Sequence, residues 1–552
     1  MAWRFPREAA RVLPAPAQLM LKRAKSTLRQ DDWANSVSRL RRREQQYLDD
    51  TAQQNRQLAG SKRILFFSMQ QVPPWVEVEY SLAAALRLRG HDVRGILCDG
   101  LVPLCEMNLG RVGRPPCEVC AGWLGRHEAA FGFEFSRLTA FLSRADRDLA
   151  REEVTATPDG KLPGLEMSGV AVGRIAEREL QRYHRGFVFC PAADPAYREW
   201  LVSAVLLVRL AERLLDREQP HVVLCTSGRT LPSACLCAVA RARGVRAVTW
   251  DTEPTFPDGL VFSHDNAAGL IPLDDAWAEV SRQPLTGDQR QVLREFLPRW
   301  AQRQIAPRPD NPALTDRQAI RDRLGLRPDA PMVVAFGNSA WDMAVVDRDV
   351  GFAGMFEWLF ALVDHAAAHP EIDVVVRAHP AEINVAPDLQ SRTPIVAEIR
   401  RRYGRLPGNL RLVDGAGPVD SYALADMARV VMVYASRIGL EVALGGKRPW
   451  LAGDTTYRGK GFTRDLTSRQ HMADLLDAGV ARDDDVLSPE KIELAERFAY
   501  LWFFRYVTRL PLLRPSTQPF SLETFRDLAP GGHHVIDRLC DAIVTGTRFL
   551  DL

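Results

Sequence analysis

The sequence predicts an α/β protein built from two Rossmann-like halves that face a cleft. Three observations carry this expectation. At 552 residues the chain is too long for one hydrophobic core. A strand–helix–strand alternation opens near residue 63 and restarts near residue 332. Between the two runs, from about 286 to 330, Pro298, Pro307, Pro309 and Pro312 interrupt any periodicity, as in a domain connection.

In the first half, Arg63-Ile-Leu-Phe-Phe-Ser68 is a short apolar run rich in branched and aromatic side chains, which predicts a strand. Val76 to Arg89 follows with Val78, Leu82, Ala85 and Leu86 on one helical face, and Gly90 ends it. Val93 to Cys98 reads as the next strand. The same order returns with His221 to Cys225, a helix over Leu231 to Arg243, a stop at Gly244, and Val245 to Trp250. In the second half the strands are Met332–Phe336, Asp373–Arg377, Leu410–Val413, Val430–Tyr434 and Pro449–Leu451. Helices over Phe352–Ala368, Ser421–Met427 and about Ile438–Leu444 alternate with them, and aromatic-rich helices are expected from Pro489 on. The resulting division is a basic, helical tail over 1–60, a first domain over 61–300, a second over 312–490 and C-terminal helices over 491–552.

Composition narrows the function classes. A net charge of +3 gives no global field for nucleic acid. Only 7 of the 72 basic residues are lysine, a bias that reflects base composition better than phosphate binding. No apolar run reaches the roughly 18 residues of a spanning helix. Residues 1–30 carry 7 basic side chains against the single acidic Glu8, which suits contact with an anionic membrane surface, an organelle presequence or a solvated tail. Pro14 and Pro16 follow Arg4, Arg7 and Arg11 where a signal peptide would be apolar, so a cytoplasmic location is expected, with the inner membrane face as the place of contact. That in turn leads us to expect reduced thiols for the nine cysteines. Four of them, Cys98, Cys105, Cys117 and Cys120, lie within 23 residues; structural zinc, disulfides and unrelated buried thiols all fit the spacing.

Three strand ends carry the chemistry. Val374-Val-Val-Arg377-Ala-His379-Pro380-Ala-Glu382 puts a guanidinium, an imidazole and a carboxylate after a buried strand, where ligands of open α/β sheets bind. Arg377 and His379 suit a departing phosphate, unless the segment is only a turn with a structural histidine. Ser436-Arg437-Ile-Gly439-Leu-Glu441 follows another strand, with Ser436 as helix cap and Glu441 as acceptor of ribose or sugar hydroxyls, or else as an ordinary capped helix. Gly337-Asn338-Ser-Ala-Trp-Asp342 supplies a third small polar loop. A base from the first domain would be Glu77, Asp99 or, preferred beside His264, Asp265. The run Asp483-Asp484-Asp485 reads as a solvated loop, not as a metal-holding Asp-x-Asp element, so no catalytic metal is expected.

These strings resemble bacterial capsule and surface-polysaccharide glycosyltransferases. The likeness lies in Trp358-Leu359, Val376-Arg-Ala-His-Pro-Ala-Glu382, Asp420-Ser-Tyr-Ala-Leu-Ala-Asp426, Ser436-x-x-Gly-Leu-Glu441 and Gly446-Lys-Arg-Pro449, and continues through Gly453, Tyr457, Gly459, Gly461, Phe462 and Thr463. It is strong over 331–465, looser over 61–265 and absent before 61. It implies the two-domain GT-B fold, a nucleotide-sugar donor and a saccharide or glycolipid acceptor. It further implies that His379, Ser436 and Glu441 hold the donor's nucleotide and phosphates with Arg377 in support. Arg437 stands where a small hydroxyl residue is expected, and is counted with Asn338, Glu382 and Gly439 in the donor-binding set. The competing readings are a transferase of polyol phosphate from a CDP-activated donor, a nucleotide-sugar epimerase that needs no acceptor, and a non-catalytic scaffold of polysaccharide assembly.

Overall fold

The computed structural model describes residues 34–551 apart from 57–59, 69–74, 109–116, 254, 269–272, 302–313, 344, 384–389, 480–484 and 511–521. Two helices, α1 (34–43) and α2 (Gln45–Arg56), precede the first sheet. Its strands are β1 (Arg63–Ser68), β2 (Asp92–Leu97), β3 (Ser136–Arg137), β4 (Val222–Thr226), β5 (Arg246–Thr252) and β6 (Gly259–His264). The late strand β13 (Thr508–Arg509) completes the order β13-β6-β5-β4-β1-β2-β3. Five strands are parallel, and β6 turns antiparallel against β5. Alternate side chains of β1 enter opposite cores, as the pleat requires: Leu65 and Phe67 on one face, Ile64 and Phe66 on the other. α7 (Pro195–Glu218) and α8 (Leu231–Ala242) cover the first face. α3 (Trp75–Leu88), α4 (Cys117–Phe131) and the last helix, α18 (His534–Thr545), cover the second.

The second sheet holds β7 (Met332–Phe336), β8 (Asp373–Arg377), β9 (Leu410–Val413), β10 (Val430–Val433), β11 (Pro449–Leu451) and β12 (Arg464–Asp465), all parallel, in the order β12-β11-β10-β7-β8-β9. With β7 counted first, this is the 3-2-1-4-5-6 order of the doubly wound fold. Val333 and Ala335 face the core under α12 (Met355–Ala368), while Val334 and Phe336 face the opposite core. Asp420 caps α14 (Ser421–Met427) by accepting the Tyr422 and Ala423 amides at 2.9 Å each. The expected class, two Rossmann-like domains facing a cleft, is therefore the one observed.

Two expectations need correction. The helical tail is not separate from the first domain: residues 34–56, helical as expected, pack into it. Ala34, Val37 and Leu40 are buried in its core, Glu44 accepts the Phe525 amide at 2.9 Å, and Asn55 donates to the Leu88 carbonyl at 2.6 Å. The basic segment 1–33 lies outside the described residues. The connection contains α10 (Gly287–Ala301), with Pro298 inside it, and α11 (Arg317–Leu324), so its periodicity is not lost throughout; Pro307, Pro309 and Pro312 lie outside the described residues. The expected C-terminal helices pack against both domains. α17 (Pro489–Tyr500) packs on the second domain, then β13, α18 and Phe549 return to the first. Removing residues 1–33 should leave the melting temperature unchanged. A chain starting at 61 exposes the sites of Val37 and Leu40, worth together about 3–6 kcal/mol by area transfer, and should melt distinctly lower by calorimetry.

Candidate active site

Each sheet reverses its strand order once, between β1 and β4 in the first and between β7 and β10 in the second. The loops leaving these strands at their carboxyl ends form the two faces of the cleft. On the second sheet Asn338 joins the two strand ends across the reversal: its Oδ1 accepts the Ala435 amide at 3.3 Å, and its own amide donates to the Met355 sulfur at 3.2 Å. His379, half-buried after β8, accepts the Ala381 amide on Nδ1 at 3.1 Å. A ring nitrogen that accepts carries no proton, so the imidazole's proton sits on Nε2. Arg377 is buried and donates to the Asp414 carbonyl, bracing the loop after β9; burial lowers its pKa.

Other members of the predicted set are turned to structural tasks. Glu382 is 1% exposed and accepts the Ile395 amide at 3.2 Å, capping α13 (Ile395–Tyr403). Burial pushes its pKa up to about 8, so the side chain is largely protonated at neutral pH. Arg437 reaches into the first domain, donating to Glu253 and to the Thr255 hydroxyl at 2.6 Å each. Ser436 Oγ accepts the Ile438 amide at 3.4 Å at the head of α15 (Ile438–Leu444). Gly439 lies against the Tyr457 hydroxyl, which donates to the Ser436 carbonyl, so any β-carbon there would collide with it. Glu441 is half-buried one turn further along the helix.

On the first sheet, β4 runs into Ser227 and Gly228, with φ of 60° and 71°, a turn of two successive left-handed residues. It delivers Arg229 into the cleft. This guanidinium is 8% exposed, donates through Nη1 to the Met343 carbonyl of the second domain, and finds no partner for Nε and Nη2 among the described residues. Burial and the neighbouring Arg348 push its pKa down to about 10. Asp251, at the carboxyl end of β5, holds the Thr252 amide at 2.8 Å and the Trp75 indole at 3.4 Å, and burial raises its pKa. Neither residue was singled out from the sequence. The signal was there: Thr226-Ser-Gly-Arg-Thr230 is a polar turn between strand and helix, and β5 extends two residues beyond Trp250.

The preferred base, Asp265, is not brought to this cleft. It follows the antiparallel strand β6 and so lies at the amino edge of the sheet, where its Oδ1 accepts the Ala247 amide at 2.8 Å. His264 beside it stacks on Phe549 with ring centroids 4.3 Å apart. Asp99 accepts the Thr139 amide at 3.2 Å beyond β2, whereas Glu77 is buried in the first turn of α3 at the carboxyl edge. Asp485 is not solvated either: it is buried, accepting the Trp450 indole at 3.0 Å beside Arg464, while Asp483 and Asp484 lie outside the described residues. Cys98, Cys105, Cys117 and Cys120 are free thiols in one neighbourhood. Burial, first among the causes, pushes Cys98 and Cys120 up to about 12. The thiols do not stand in mutual coordinating range; among the described residues that distinction belongs to His365, His369 and Asp477.

The domains meet through ion pairs. Arg174, on α6 (Val172–His184) of the first domain, holds Asp347 at 3.1 Å; Arg178 also pairs with Asp347, and Arg437 with Glu253. The half-open space between α6 and the 340–356 segment, lined by Gln181, Ala340, Met355 and Tyr434 among others, is about 70 Å³, room for water but not for a nucleotide.

No family model matches the chain, and no curated protein matches it. Among solved structures, a Thermosulfurimonas dismutans KpsC, described as a beta Kdo 2,4 transferase, is 13% identical over 51% of this chain and 79% of its own, with a TM-score of 0.33. A second KpsC structure from that organism, a beta Kdo 2,7 transferase, is 15% identical over 61% and 89%, with a TM-score of 0.30. A UDP-GlcNAc 2-epimerase from Neisseria meningitidis is 11% identical over 79% and 98%, with a TM-score of 0.24. Nothing about activity follows from likeness at this level.

Proposed function

We propose that the chain is a glycosyltransferase, moving a sugar from a nucleotide-sugar donor held on the second sheet to a saccharide or glycolipid acceptor in surface-polysaccharide synthesis. The observation that carries this reading is the pairing of two sheet-reversal edges across one cleft, with the incompletely bonded Arg229 on one side and His379 on the other. A buried cation with unmet N–H groups is a site for an anion, and a phosphate linkage is the anion such an edge takes. His379 Nε2–H stabilises charge on the departing phosphate, as a fixed donor does better than water. Asn338 and Ser436 order the adjoining loops, and Glu441 accepts ribose or sugar hydroxyls. No catalytic metal is invoked in this reading.

Asp251 takes the place first given to Asp265 as the base that accepts the acceptor's hydroxyl proton. Its raised pKa brings its proton affinity nearer to neutral, where a base works best. Ligand entry is proposed to part the domains, breaking the Arg437–Glu253 and Arg174–Asp347 pairs. Thermal-shift titration with nucleoside mono- and diphosphates, followed by product analysis with matched CMP-, CDP-, UDP- and GDP-activated donors, tests the reading. Donor turnover without any acceptor would favour an epimerase, polyol phosphate transfer the CDP-dependent alternative, and no nucleotide response a scaffold.

The basic segment 1–33 is proposed to bring the enzyme to an anionic membrane surface; no helix among the described residues is long and apolar enough to cross one. The four neighbouring cysteines are proposed to bind a structural zinc ion, drawing together around it and releasing their protons as it binds. Elemental analysis should find zinc in the purified protein. Cys117→Ser and Cys120→Ser should each lower its melting temperature while leaving nucleotide affinity of the folded fraction unchanged; zinc-free wild-type protein of full stability would remove the idea.

A further inference from the structure

α12 begins at the cleft, where Met355 receives the Asn338 amide, and runs to the opposite, amino edge of the second sheet. Its last turn carries His365, and His369 caps its carboxyl end four residues on, beside His365. Their rings stack at 4.1 Å, and both Nε2 atoms point at one oxygen of Asp477, near the end of α16 (Arg469–Gly479). The separations are 3.6 Å from His365 and 3.4 Å from His369. Good N–H···O bonds span about 2.7–3.2 Å, so these are poor hydrogen bonds. They match the edge of a tetrahedron around zinc, which for bond lengths of about 2.0–2.2 Å is about 3.4 Å.

The surroundings are built as metal sites are. His369 Nδ1 lies 3.0 Å from Glu371 Oε1, so that nitrogen carries the proton and donates it to the carboxylate, leaving the Nε2 lone pair toward Asp477. The turn carrying His369 is locked by Asn409, whose amide donates to the carbonyls of Ala366, His369 and Ile372 at 3.0, 2.9 and 2.8 Å. α16 is held to α12 independently, by Arg469 on Asp364 at 2.7 Å and by buried Met472 and Leu476. Three ligand atoms within 4.8 Å of one another thus stand on α12, its braced C-cap and α16.

We infer that His365, His369 and Asp477 form a binding site for a first-row divalent ion of the zinc type, which clips α12 to α16 at the edge of the second domain remote from the cleft. Two imidazoles and one carboxylate favour such an ion over Mg²⁺ or Ca²⁺, which take oxygen ligands. Water completes the coordination, and the site's role is to hold the far end of the helix whose near end lines the cleft.

The test uses the full chain, treated with chelator and titrated with Zn²⁺ alone by calorimetry, with the melting temperature followed in parallel. Wild type should take up one more equivalent than His369→Ala or Asp477→Asn, and its melting temperature should rise with that equivalent. Glu371→Gln should keep the equivalent but bind it about 10–100-fold more weakly, the effect of losing an outer carboxylate. Co²⁺ separates this site from the cysteines, because thiolate ligands give intense sulfur-to-metal absorption and a nitrogen–oxygen set does not. An equal number of equivalents in wild type and both ligand variants, each folded by circular dichroism, would overturn the assignment. So would Co²⁺ uptake showing the sulfur signature alone.

Discussion

His379→Ala should fold normally and turn over about 10²–10³-fold more slowly than wild type, an effect of roughly 2.7–4 kcal/mol on the transition state. The imidazole is half-buried at a strand end, where it accepts the Ala381 amide, so core packing changes little. What is lost is the Nε2–H donor, whose orientation that bond fixes. A donor aimed at a departing phosphate strengthens as charge develops there, so kcat falls rather than KM rising. Glu441→Gln should do the reverse, raising the donor's KM with a smaller effect on kcat, because a hydroxyl contact is made equally in the ground and transition states. His379→Gln separates the roles, since its amide supplies a donor without titrating. Partial recovery of kcat in that variant is expected. Steady-state kinetics beside circular dichroism decides the matter, and a well-folded His379→Ala protein with near wild-type kcat would remove His379 from the mechanism.

The strands were legible because a buried parallel strand leaves a continuous apolar run whatever its neighbours. Val374-Val-Val and Val430-Val-Met-Val gave β8 and β10 without reference to the rest of the chain. Strand-end position was legible by the same route, and it puts His379 and Asn338 at the cleft. The direction in which a side chain turns was not. Glu382 and Arg437 carry the residue types of ligand contacts, yet one is spent on the Ile395 amide and the other on Glu253, partners 13 and 184 residues away. Asp265 failed through topology: one antiparallel strand, β6, reverses which end of the sheet its following loop occupies, and local periodicity carries no sign of direction. The helices over 34–56 were expected, but their packing on the first domain was hidden by their polar composition. Their core contacts come from a few residues, Val37 and Leu40 among them, set among charged neighbours.

Arg229→Met should weaken nucleotide binding by about 10- to 150-fold while leaving the melting temperature unchanged or higher. The opposite signs follow from one feature. A guanidinium is buried at the domain junction with Nη1 bonded to the Met343 carbonyl and two nitrogens unmet among the described residues, so the free protein carries part of its desolvation cost uncompensated. Its pKa, pushed down to about 10 beside Arg348, reports the same cost. An anion entering the cleft supplies what is missing, and charge-assisted hydrogen bonds of this kind are worth about 1.5–3 kcal/mol, which sets the expected loss of affinity. Methionine fills a similar volume without charge, and such replacements of a buried ion are commonly neutral or stabilising. Arg229→Lys keeps the charge but not the fork, so it should recover only part of the affinity. Paired measurement of nucleotide affinity and melting temperature distinguishes the outcomes. If Arg229→Met melts lower and binds nucleotide as wild type does, the side chain is a brace between Ser227-Gly228 and Met343, and the anion must sit elsewhere on the two edges.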